Sequence, residues 1–168
     1  MSPYEATPVD VVTALAGSQQ RHEILNGWLA HRAALRALGI DAGFQWLDGS
    51  FVEDKDPQDL DIVTFFRRPA MATTRVLLME LARNNPIVFS RAAIKHAFRL
   101  DAMFVDMDAT PEAVVDSTRY WLGLFSHRRL DSMWKGMLKV SLEDNGDDAI
   151  ASGFLAAVTL GPTPVSAP

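Results

Sequence analysis

The stretch Phe44-Gln45-Trp46-Leu47-Asp48-Gly49-Ser50-Phe51-Val52-Glu53-Asp54-Lys55-Asp56-Pro57-Gln58-Asp59-Leu60-Asp61-Ile62-Val63-Thr64-Phe65-Phe66 contains two strands and the loop that joins them. The short apolar run 44–47 ends in the turn-forming Asp48-Gly49-Ser50. Beyond a polar loop with Pro57, residues 59–66 are rich in β-branched and aromatic side chains, which suits a strand. The two strands are expected to be neighbours. Asp59 and Asp61, at i and i+2 on a strand, point to one face with their β carbons about 7 Å apart. Strand interiors disfavour acids unless something requires them. Two carboxylates, water and substrate phosphates form the oxygen-rich surroundings that Mg²⁺ prefers. Gly49 and Ser50 add a backbone that can approach a phosphate closely, free N–H groups and a hydroxyl donor.

Outward from this stretch, residues 8–38 read as two helices. The first starts at Thr7-Pro8; the second is capped by Ser18 and ended by Gly39. Ile24, Leu25, Trp28, Leu29, Leu35 and Leu38 recur at three- and four-residue spacing and give the second helix one apolar stripe. A helix is expected over 72–83, with Val76, Leu77, Met79 and Leu81 in the core, and a shorter one over 91–96. Residues 98–105 alternate, with Phe98, Leu100, Ala102 and Phe104 on one face and Arg99, Asp101, Met103 and Val105 on the other, which makes a third strand. Thr110-Pro111-Glu112 opens a helix to about Phe125. Trp134, Gly136, Leu138, Val140 and Leu142 alternate as a strand, and 147–160 closes with a helix. This is an α+β pattern, a small mixed sheet with flanking helices in one domain over 1–160. The Pro-rich tail 161–168 has nothing to bury and is expected to be mobile.

Composition narrows the functional classes. With 168 residues, 48% hydrophobic and 22% charged, the chain suits one globular core and has no apolar run long enough to span a bilayer. It has no cysteine, so any metal must be held by oxygen or imidazole. The first ten residues do not pattern as a secretion signal, and a cytoplasmic location is the expectation. A net charge of −5 argues against broad gripping of duplex nucleic acid. Acids concentrate between Asp41 and Asp61, whereas most Arg and Lys residues lie between Arg67 and Lys139, an arrangement that suits a small polyphosphate ligand.

Leu47-Asp48-Gly49-Ser50, a loop, and Asp59-Leu60-Asp61-Ile62 resemble the polymerase-beta-like nucleotidyltransferase superfamily, in which a strand ending in Gly-Ser precedes an acid-apolar-acid strand. The whole chain, including Gln45-Trp46-Leu47-Asp48-Gly49-Ser50-Phe51-Val52 and the later Tyr120-Trp121 and Trp134-Lys135-Gly136-Met137-Leu138, is similar to small uncharacterised bacterial members of that superfamily. The resemblance implies a nucleotidyltransferase-like fold in which Gly49 and Ser50 contact a nucleoside triphosphate, and Asp59 and Asp61 bind Mg²⁺, with Mn²⁺ as a substitute. It also implies a third acid on a later strand, which is assigned to Asp101. Asp106 and Asp108 are the runners-up, although an Asp before Ala-Thr-Pro suits a turn or a helix cap.

Lys135 is the next candidate for phosphate binding, followed by Arg128 and Arg129, because positive charge is needed around a transferring phosphoryl group. Glu53, Asp54 and Asp56 read as a solvated loop. His22, His31, His96 and His127 lack the mutual spacing of a metal cluster and read as surface or packed side chains. Trp46, Trp121 and Trp134 read as core. The expected reaction is Mg²⁺-dependent transfer of a nucleoside monophosphate to an acceptor hydroxyl that the sequence does not name. The alternative is a domain of the same fold that binds nucleotide or a protein partner without turnover, such as the antitoxin of a toxin pair.

Overall fold

A computed structural model describes residues 2–52, 57–127 and 134–157. In chain order the elements are β1 (Tyr4–Glu5), α1 (Pro8–Leu15), α2 (Gln19–Ala37), β2 (Gly43–Asp48), β3 (Leu60–Phe66), α3 (Arg75–Asn84), α4 (Pro86–Phe89), α5 (Arg91–Phe98), β4 (Leu100–Asp106), α6 (Pro111–Phe125), β5 (Leu138–Ser141) and α7 (Asp147–Ala157). The tail at 161–168, the loop acids Glu53, Asp54 and Asp56, and Arg128 and Arg129 lie outside the described residues.

Local chemistry starts the first two helices where the sequence places them. The Thr7 hydroxyl accepts the Asp10 N–H at 3.1 Å and the Asp10 carboxylate accepts the Thr7 N–H at 2.8 Å, a reciprocal capping box with Pro8 in the first turn. The Ser18 hydroxyl accepts the Arg21 N–H at 3.3 Å and caps α2.

The α+β architecture is built on one mixed sheet in the order β1-β5-β2-β3-β4. β2 pairs antiparallel with β3 and β5, whereas β1–β5 and β3–β4 are parallel. Side-chain alternation divides the sheet into two faces. Leu47, Leu60, Ile62, Leu100, Ala102 and Val140 pack against Val11, Val12, Ile24, Leu25, Trp28, Ala151 and Leu155 of α1, α2 and α7, with Ile94 of α5 in the same cluster. On the opposite face Trp46, Val63, Phe65, Val105 and Met137 meet Phe125 of α6. At one end Leu35, Ile40, Phe66, Val88 and Leu142 form a third cluster.

A buried polar network crosses the first of these faces. Gln45 Oε1 accepts from Trp28 Nε1 at 2.8 Å and from Arg32 Nη1 at 3.2 Å, while Gln45 Nε2 donates to Thr64 Oγ1 at 3.0 Å. Arg32 Nε bridges to Asp148 of α7 at 2.9 Å, Arg32 Nη2 donates to the Ser141 carbonyl at 2.8 Å, and Arg36 also pairs with Asp148. Arg32, Gln45 and Thr64 are fully buried. Each finds partners inside the protein, as burial of polar groups requires. Burial works to raise the Asp148 carboxyl, but the Arg32 and Arg36 guanidiniums outweigh it and hold the carboxyl below its usual range.

Two expectations about packing need correction. Of the core candidates on α3, Val76, Leu77 and Met79 are exposed, and no residue of that helix is fully buried. Only Leu78 packs against the third cluster, because the other helices already cover the sheet there. Trp46 is in the core as expected, but Trp134 is 79% exposed and lies against His127 in a tilted contact, with ring centroids 4.3 Å apart. The strand expected over 134–142 narrows to Leu138–Ser141, preceded by a single bridge between Trp134 and His127.

Candidate active site

Strand register aligns carboxylates that the sequence separates. Asp48 at the end of β2 is paired with Asp61 on β3, and Asp61 is paired in turn with Asp101 on β4. All three follow the alternation of the α6 face, so they form one row across three adjacent strands whose neighbours lie about 5 Å apart. Asp59 stands one residue before β3. The four acids, with Gly49 and Ser50, line one cavity of about 680 Å³.

Gly49 makes the row possible. Its φ of +80° lies in the left-handed region, and a β carbon there would stand 1.8 Å from Asp61 Oδ2. The backbone of the Gly-Ser turn therefore lies directly against the Asp61 carboxylate, a closeness that only glycine allows. Ser50 follows within the 3₁₀ turn Gly49–Val52.

Asp48 is 3% exposed, and its Oδ1 is buried without a hydrogen-bond partner. Burial pushes its carboxyl up to about 6, against the opposing pull of the Gly49 N–H and Lys135. Lys135 Nζ lies 3.0 Å from Asp48 Oδ2 and 3.4 Å from the Gly49 carbonyl, so the lysine expected at the phosphate site does reach the turn.

Helix α5 contributes two more cations. Arg91 grips Asp101 with both arms of its guanidinium, Nε–Oδ1 at 2.5 Å and Nη2–Oδ2 at 2.6 Å. Lys95 Nζ lies 2.6 Å from Asp59 Oδ2. These bonds raise both basic groups above their ordinary values. Arg91 and Lys95 are one helical turn apart, so they project from the same side of α5. The helix sits close on α2 because Gly27 has no side chain: a β carbon there would stand 2.0 Å from the Phe98 carbonyl.

The other wall is largely aromatic and apolar, with Tyr120, Trp121, Leu124 and Phe125 of α6 beside His127. His127 is thus a cavity residue rather than an isolated surface or packed one, and its Nδ1 is 2.9 Å from Ser126 Oγ. Asp106 and Asp108, the runners-up to Asp101, are at the far end of β4. Asp106 is paired with Arg68 at 2.7 Å and Asp108 with Arg67 at 2.7 Å, and neither lines the cavity.

The model of a family of unknown function, DUF6932, matches residues 2–141. The chain belongs to the DUF6932 family. No curated protein and no solved structure matches it. All the cavity residues of this DUF6932 member fall within the matched span, whereas α7 lies beyond it.

As they stand, no three acids or histidines among the described residues of this DUF6932 chain are grouped closely enough to hold a metal ion. The donor chemistry nevertheless fits a hard divalent cation: the acids are all oxygen donors, Asp48 Oδ1 is an orphaned buried oxygen at the row's edge, and the Gly49 turn leaves backbone against Asp61. Asp59, Asp61 and Asp101 are the residues that would hold it. Sequence reasoning brought these three together with Gly49, Ser50 and Lys135, and all six line the cavity. It missed Asp48, Arg91 and Lys95 as site residues. The signal for the last two was available, since they are an i, i+4 basic pair on a helix with no acid of its own.

Proposed function

We propose that this protein is a Mg²⁺-dependent nucleotidyltransferase that moves a nucleoside monophosphate from a nucleoside triphosphate to an acceptor hydroxyl. The observation that carries this reading is the row Asp48, Asp61 and Asp101 in register on three strands, with the Gly49-Ser50 turn against its middle member. Acids are costly side by side in a sheet because like charges repel across strands. A row of them facing a cavity calls for cationic chemistry to offset it.

When bound, Mg²⁺ supplies charge neutralisation at the phosphates and lowers the pKa of an attached hydroxyl. The backbone of the turn and the Ser50 hydroxyl bind phosphate oxygens, and Lys135 adds positive charge beside them. Asp101 accepts the proton of the acceptor hydroxyl. The acceptor oxygen bonds to the α-phosphorus as the bond to the β-phosphate oxygen breaks, and pyrophosphate leaves with that electron pair.

The test is incubation of purified protein with each α-labelled nucleoside triphosphate and Mg²⁺ or Mn²⁺, alongside the Asp59→Ala/Asp61→Ala variant. Label is expected on an acceptor with the wild type alone; equal labelling by the variant refutes the assignment. A second reading, a domain that binds nucleotide or a protein partner without turnover, is favoured by the pairing of Asp59 with Lys95 and of Asp101 with Arg91. Metal-dependent nucleotide binding without transfer of label would select it.

A further inference from the structure

Four carboxylates, Asp48, Asp59, Asp61 and Asp101, share the cavity with three cations, Arg91, Lys95 and Lys135. Carboxylates this close cannot all remain ionised unless positive charge stands among them. Lys135 meets that need at Asp48 from a nearly buried position, with 12% of its side chain exposed. Arg91 and Lys95 differ, because their side chains are 62% and 56% exposed while they hold Asp101 and Asp59.

Three features argue that the α5 pairs are made to be exchanged. Both cationic side chains are more than half exposed, so each can turn from its carboxylate to a ligand without disturbing the packed core. Arg91 opens α5, where the helix dipole is positive and a cation is disfavoured, and Ser90 at the N-cap provides no side-chain hydrogen bond to offset it. What holds an arginine there is the Asp101 carboxylate rather than the helix end. Finally, the two side chains cover the same two carboxylates that the proposed metal needs, at the rim of a cavity that remains open beside them.

We infer that Arg91 and Lys95 are exchangeable counter-ions: they neutralise Asp101 and Asp59 in the metal-free protein and turn to the ligand's polyphosphate when a divalent cation takes the carboxylates. This rests on the metal-site reading above and adds the polyphosphate-recognising residues to it. Arginine matches phosphate oxygens bidentately, as it matches the Asp101 carboxylate, and lysine serves as a point charge. On this arrangement the cation and the polyphosphate bind best together. Alone, the cation must displace two protein cations that have nowhere better to go. Alone, the polyphosphate meets unshielded acids.

The experiment measures Mn²⁺ binding by the paramagnetic resonance signal of the free ion, with and without inorganic tripolyphosphate, on the full chain. The variants are Arg91→Gln/Lys95→Gln, the charge-keeping Arg91→Lys/Lys95→Arg, and Asp59→Ala/Asp61→Ala. The Gln pair is expected to bind Mn²⁺ alone about tenfold more tightly, because two nearby positive charges are gone, and to bind tripolyphosphate with Mn²⁺ about tenfold more weakly. The charge-keeping pair should return both affinities toward wild type. A merely structural role would not shift the two affinities in opposite directions. Mn²⁺ affinity unchanged or lowered in the Gln pair, or tripolyphosphate binding undiminished, overturns the inference while leaving the metal site standing. If wild type and the Gln pair bind Mn²⁺ no better than the Asp variant, the metal-site reading itself falls and takes the inference with it.

Discussion

Replacing Gly49 with alanine separates two costs that usually arrive together. Gly49 and Gly146 both have positive φ, +80° and +90°, so alanine at either must enter the left-handed region, at about 1–2 kcal/mol. Around Gly146 nothing lies within 4 Å, and the conformational cost is the whole effect. At Gly49 the new methyl would stand 1.8 Å from Asp61 Oδ2 and 2.8 Å from its carboxyl carbon, well inside contact distance. Either the turn or the carboxylate must move, which adds about 1–3 kcal/mol of overpacking. Urea unfolding of the two variants is therefore expected to differ by about 1–3 kcal/mol, with Gly49→Ala the less stable. The same displacement takes Asp61 out of the row, so Gly49→Ala should lose Mn²⁺ binding that Gly146→Ala keeps. Equal destabilisation by the two substitutions, or unchanged Mn²⁺ binding in Gly49→Ala, would show that the turn does not press on Asp61.

Asp148→Asn leaves the fully buried Arg32 without its counter-ion and should cost about 3–5 kcal/mol in urea unfolding, whereas Arg32→Met/Asp148→Leu should recover most of that loss; a single-variant cost below about 1 kcal/mol would contradict the network. Asp48 titrates at about 6 in the folded chain against 3.8 in the unfolded one, so the folded state binds the extra proton and its stabilising effect is complete below pH 3.8. That contribution, at most about 3 kcal/mol, is lost as pH rises through 6, and Asp48→Asn should flatten the metal-free stability profile between pH 4 and 6; an unchanged profile would refute the burial of that carboxyl.

What could be read from the sequence followed the range of the interactions involved. The starts of α1 and α2 depend on Thr7, Asp10 and Ser18 bonding to backbone within three residues, and both were legible. Asp59, Asp61 and Asp101 were legible because strand alternation sets which face an acid takes. Asp48 was not, since its place beside Asp61 depends on hairpin register across a loop of eleven residues, Gly49 through Asp59, rather than on local pattern. The exposed stripe of α3 shows the same limit from the other side. Its periodicity marks an amphipathic helix, but which helices win the sheet is decided by packing elsewhere. β1, with two residues, is too short to carry a pattern at all.

Register also ties the buried network to the cavity. Gln45 and Asp48 lie on β2 three residues apart, hence on opposite faces. Gln45 is paired directly with Thr64, and their buried side chains are hydrogen-bonded at 3.0 Å. A slip of one residue between β2 and β3 would break that bond, leave the Arg32 and Trp28 donors short of their acceptor, and offset Asp48 from Asp61. An unsatisfied buried polar group is expensive, so the network penalises every register but the observed one. Asp148 belongs to the same device although it lies beyond the span matched by the family model, because without it Arg32 would be a buried, uncompensated charge under the strand that carries the site. The carboxylate row thus depends on polar groups on the far side of the sheet that never touch the cavity.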